Sequence, residues 1–166
     1  MITRAIRNIF RVNLNVKKSE KILIFTDRLR VNEKNPPSPP FGKGGKGGFT
    51  EELIDDRDKC RRERLRDIAV LTAETGKSFC KKILYLEYPA TGSHGAEPPQ
   101  KLWAIAFGEK TFRKLKAQNL LLSLINKKAK GDEIKRAEEI ISKNRRYAVN
   151  AVVALSNYST SHTRFR

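Results

Sequence analysis

Residues 149–166 read VNAVVALSNYSTSHTRFR, and the order of chemistry within this stretch decides the fold class. Val149, Val152, Val153 and Leu155 stand in a β-branched apolar run, the composition of a strand buried on both faces of a parallel sheet. Residues 157–162 follow with small hydroxyl and amide side chains, which cap helices and leave backbone N–H groups free. A helix is expected to begin at 163–166. Strand, polar loop and helix start are the repeating half-unit of an α/β protein. A chain that stops on the first turn of such a helix reads as the front part of something longer.

Working back from this stretch, two further strands are expected, KILYLEY at 82–88 and KILIFT at 21–26, the latter with Asp27 at its carboxyl end. Ile2, Ala5, Ile6, Ile9 and Phe10 share one helical face at the amino terminus. A second helix is expected over 51–75, with Leu65, Ile68, Ala69 and Thr72 along one side and Gly76 as its stop. Pro98 and Pro99 lead into a helix at 102–107, and apolar spacing predicts two more at 112–125 and 132–144. The expected fold is therefore α/β, an open three-layer parallel sheet with flanking helices, in a domain that is incomplete. Ligands in such sheets gather beyond the carboxyl ends of the strands. That rule points to Asp27, to the loop 87–97 and to 156–163.

Charge is the strongest statement of the composition. Thirty-five Lys and Arg stand against 18 Asp and Glu, for a net charge of +17 over 166 residues. Such an excess suits a phosphate backbone or an anionic lipid surface. The cations are scattered over the whole chain with no recognition-helix, zinc-finger or aromatic-studded RNA-binding pattern, so charge alone supports only non-specific nucleic-acid contact. The longest apolar runs, 22–25, 120–122 and 151–155, fall far short of the ~20 residues a membrane span requires. Arg4, Arg7 and Arg11 interrupt the opening residues, so no secretory leader is expected. Cys60 and Cys80 match no metal or redox spacing and are expected as reduced thiols in a cytoplasmic protein.

Residues 35–49, NPPSPPFGKGGKGGF, hold four of the seven prolines and five of the ten glycines. Neither half can continue a helix or a strand. The glycines lack the Lys-Ser/Thr ending of a phosphate-binding loop and follow no GxGxxG spacing. The segment resembles a translated genomic repeat and is expected to be an insertion into the first crossover, because a long structureless loop inside a compact domain otherwise needs a reason.

Few residues carry candidate chemistry. His162, between Ser161 and Thr163 at an expected helix start, fits either a base or carboxylate-holding group, or a packed or solvated member of a capping loop. Asp27 fits a substrate contact or a cap. His94 with Glu97 alone makes no metal site. No HExxH, GxSxG, paired-cysteine or clustered-carboxylate pattern completes a catalytic centre.

The opening IFRVNLNVKKSEKILIFTD and the ending NAVVALSNYSTSHTRFR together resemble the thermophilic-type dimetal aminopeptidases, the aminopeptidase T and AmpS family. The resemblance implies a cytosolic exopeptidase that removes N-terminal residues from peptide substrates with two divalent metal ions, zinc or cobalt, and forms homodimers at full length. That family's metal ligands lie in its C-terminal part, so none carries over, and no metal is expected for this chain alone. Ser161, His162 and Thr163 match the family's SxSHT-type motif, and Asp27 matches the residue after its first strand. The resemblance gives these four a substrate-facing or interdomain role. It implies an N-terminal α/β domain over 1–166, interrupted at 35–49, without peptide hydrolysis of its own.

Overall fold

Ile22, Leu23, Ile24 and Phe25 are all completely buried, which requires a strand covered on both faces and paired on both edges. In the computed structural model, which describes residues 2–28 and 56–165, this strand is Lys21–Arg28 (β1). It lies between Lys82–Pro89 (β2) and Ala151–Ala154 (β3), parallel to both, in the order β2-β1-β3. The expected α/β fold, an open parallel sheet flanked by helices, is the fold observed. The expected insertion at 35–49 lies outside the described residues, as do positions 51–55 of the expected second helix.

Alternation along β1 divides the core in two. Ile22 and Ile24 face the helices Ile2–Asn8 (α1) and Asp56–Gly76 (α2), packing with Ile6, Phe10, Ala69, Ala73 and Cys80. Leu23 and Phe25 face the opposite layer, built by Gln100–Phe107 (α3), Glu109–Ala117 (α4), Leu120–Ile125 (α5) and Gly131–Lys143 (α6). Leu102, Trp103, Leu115, Leu120 and Leu121 fill that second core. The three layers follow because each face of β1 demands its own apolar cover.

Several local expectations change. The helix expected over 112–125 is two helices, α4 and α5, broken at Asn119, whose φ of 57° no helix interior accepts. Gly76 ends α2 without a left-handed turn. A Cβ there would sit 2.8 Å from both Ile83 Cδ1 and Phe10 Cζ, so the residue is small to let Phe10 and β2 close in. The strand expected to be buried on both faces at 149–155 is the short β3, with Val152 39% exposed. It is an edge strand, and an apolar groove of about 390 Å3 stays open beside it, lined by Phe107, Val149, Val152 and Ala154 among others. The helix expected at 163–166 is instead a run of turns through Phe165.

Gly108, between α3 and α4, has φ +83°, and a Cβ there would come within 2.5 Å of the Tyr147 carbonyl oxygen. Gly108→Ala should therefore lower stability by about 2 kcal/mol or more, combining backbone strain with a clash that only backbone movement relieves. Gly131→Ala, with no heavy atom within 4 Å of the new Cβ, should be neutral or slightly stabilising. Urea unfolding of the two variants checks the contrast.

Candidate functional site

The chain passes from β1 to β2 on one side and then to β3 on the other, which makes the crevice between β1 and β3 the topological switch point. Asp27 closes that crevice from below. Its side chain is buried, and both carboxyl oxygens accept hydrogen bonds from the loop beyond β3. Oδ1 accepts from the Asn157 backbone N–H at 2.6 Å and from Asn157 Nδ2 at 2.9 Å. Oδ2 accepts from the Tyr158 N–H at 3.1 Å. Burial first, and then the charge of Asp27, pushes the neighbouring Tyr88 phenol well above its usual range. Asp27 thus does not face solvent; it binds the chain 130 residues downstream.

The loop after β2 grips the same segment from the other side. The Gly95 N–H donates to the Ser159 carbonyl at 2.8 Å, and the Ser159 N–H donates to His94 Nδ1 at 3.0 Å. The His94 ring stands edge-on to Tyr158, with centroids 5.6 Å apart. Lys127 Nζ donates to the carbonyls of Gly95 at 2.6 Å and His162 at 3.2 Å, joining the two loops. Glu97 accepts from the backbone N–H groups of Arg164 and, at 3.2 Å, Phe165. Burial raises the Glu97 carboxyl above the usual carboxylate range, against the opposing pull of these two donors. Held in this way, Phe165 enters the core and meets Phe25, Trp103 and Phe107 edge-on at centroid distances of 5.5 to 6.2 Å.

The four residues singled out by sequence therefore occupy one end of the sheet in different settings. Asp27 is internal. Thr163 is buried, and its hydroxyl donates to the Thr160 carbonyl at 2.6 Å, closing a turn. The Ser161 hydroxyl pairs with that of Ser159 at 2.6 Å on the surface. His162 is exposed, with its Cβ against Gly95. Among the described residues no group of three or more His, Cys, Asp or Glu could hold a metal ion. The carboxylates of Asp27 and Glu97 at this end accept backbone N–H groups.

No family model, no curated protein and no solved structure matches this chain. Among the described residues, no helix is long and apolar enough to cross a membrane.

Sequence reasoning missed the clamp at Glu87, whose partners lie on three elements. Its carboxylate pairs with Arg28 Nε at 2.9 Å and Arg66 Nε at 3.0 Å, and accepts the Tyr85 hydroxyl at 2.6 Å. Burial alone would raise the Glu87 pKa, but the hydrogen bonds from Tyr85 and Arg66 and the two positive charges win, and it is held below its usual value. Tyr85, partly buried against that carboxylate, is pushed up in turn.

A carboxyl whose folded pKa is depressed contributes stability above its unfolded value, about 4.3, and loses it as pH falls through the folded one. Glu87→Gln should cost about 1 kcal/mol at pH 7, since both arginines are half-exposed. It should also remove part of the stability lost below pH 4, which chemical unfolding from pH 3 to pH 7 measures. Asp27→Asn sets an amide N–H2 against backbone donors and should cost about 2–3 kcal/mol, since a buried donor is left without an acceptor. Hydrogen exchange should then rise first at Asn157 and Tyr158.

Proposed function

We propose that this chain is an α/β module of the aminopeptidase type that does not hydrolyse peptides on its own and acts as a scaffold. One observation supports this reading above the rest: the switch-point crevice, where an α/β enzyme holds its ligand, is filled by residues 157–158 bound to a buried Asp27. The resemblance at 9–27 and 150–166 supplies the family. Under it, the exposed Ser161 and His162 lie on the rim of the filled crevice, the place for an interdomain contact, while Asp27 and Thr163 shape that rim from beneath. The peptide substrate, the pair of zinc or cobalt ions and the homodimer are properties of the full-length family that this reading does not assign to the chain alone.

The purified chain, supplied with zinc or cobalt, should release no nitroaniline from leucine p-nitroanilide above a metal-only control. It should retain no stoichiometric metal after desalting. Two retained equivalents together with cleavage would overturn the scaffold reading.

A second reading rests on the net charge of +17. A surface this basic supports non-specific association with nucleic acid, driven by counterion release. Affinity for a duplex of arbitrary sequence should then fall steeply as salt rises from 50 to 200 mM. Salt-independent binding, or none at low salt, counts against it.

A further inference from the structure

At the opposite end of the sheet lies a cavity of about 530 Å3, lined by Gly108, Glu109, Lys110, Arg113, Lys114 and Tyr147. Its place is set by the amino end of β1. Lys21 donates its Nζ to the Tyr147 carbonyl at 3.1 Å and its backbone N–H to Asn150 Oδ1, and its carbonyl accepts the Asn150 N–H, which ties the turn Arg145–Tyr147 to the sheet. The absence of a Cβ at Gly108 lets the start of α4 press against that turn.

The charges around this cavity are unevenly matched. Lys110 Nζ and Arg146 Nη2 both donate to the single Tyr147 phenol oxygen, at 3.3 and 2.8 Å, and both lie over its ring at 5.0 and 4.9 Å. Lys114 Nζ reaches the neutral Asn144 Oδ1 at 3.4 Å. Glu109 is the one carboxylate in the lining, and it is paired with Arg113 at 2.9 Å. Lys110 and Lys114 in the lining, and Arg146 beside it, thus have neutral groups as their partners in the contacts described. The hydrogen bonds from Lys110 and Arg146 hold the Tyr147 phenol below its usual value, as a local excess of positive charge does. Like charges collected at one place repel unless an anion joins them, and Arg and Lys in such a group bind phosphate oxygens by charge-assisted hydrogen bonds.

We propose that the cavity lined by Lys110, Lys114 and Tyr147, with Arg146 beside it on the Tyr147 hydroxyl, is a binding site for a phosphate group. A bound phosphate replaces the phenol oxygen as the acceptor for Lys110 and Arg146, and Lys114 closes on it from α4. A phosphate of this kind is offered by a polynucleotide backbone and by small phosphate esters alike.

Calorimetric titration of the full chain with inorganic phosphate, and separately with a short oligonucleotide, tests the assignment. The double variant Lys110→Gln with Arg146→Gln should weaken phosphate binding at least tenfold. The charge-matched pair Lys101→Gln with Lys128→Gln, both exposed and outside the cavity lining, should change it by less than twofold. Thermal melts of the two proteins confirm that each is folded. Tyr147→Phe removes the competing oxygen and should leave phosphate binding equal or tighter. If oligonucleotide affinity drops with phosphate affinity only in the cavity variant, the phosphate is that of a polynucleotide. If phosphate affinity alone drops there, the ligand is a small ester. Equal weakening by both double variants, or no phosphate binding by the unaltered chain, overturns the proposal.

Discussion

The buried carboxylate of Asp27 is the constraint on which the carboxyl end of the structure depends. Its two oxygens accept three hydrogen bonds from Asn157 and Tyr158, groups that would otherwise lie unpaired beneath the surface. Once residues 157–158 are fixed over β1, the rest of the segment can only run toward the loop after β2. There His94, Gly95 and Glu97 accept or donate in turn, and Phe165 falls into the aromatic group above Phe25. Removing the anchor would expose that aromatic core as well as the crevice. Hydrogen bonding and apolar burial are therefore coupled through one residue.

Chemistry is divided between the two ends of the sheet. At the carboxyl end, Asp27 and Glu97 serve backbone donors and Glu87 answers Arg28 and Arg66. At the amino end, cations gather around Tyr147 with too few carboxylates to answer them. A net charge of +17 makes such an imbalance common on this surface, and here it meets a fixed backbone and a cavity. The middle of the sheet is apolar and fully covered, whereas β3 stays half-covered at its edge.

Much of the fold was legible because it rests on local periodicity. The run KILIFT could be read as a strand from its apolar continuity, and Leu65 to Thr72 as a helix face from its spacing. Boundaries failed where a single backbone angle decided them, as at Asn119, whose left-handed conformation divides one expected helix into two. Gly76 was read as a helix stop, yet its reason lies across space, in Phe10 and Ile83. The burial expected for β3 failed because a strand's cover depends on neighbours that its own residues do not specify.

The sequence by itself determined the layer architecture, the parallel sheet and the excess of positive charge, since these follow from patterns and counts that any conformation must respect. It also marked Asp27, Ser161, His162 and Thr163 as lying near one another at the strand ends. Only the tertiary structure decided what they do there. Asp27 meets Asn157 across 130 positions of chain, and Glu97 meets Phe165 across 68, separations at which no local spacing rule applies. The same holds for Tyr147 beneath Lys110, 37 positions away. A site is a coincidence of distant residues in space, and it is the packing of the two apolar cores that brings them together.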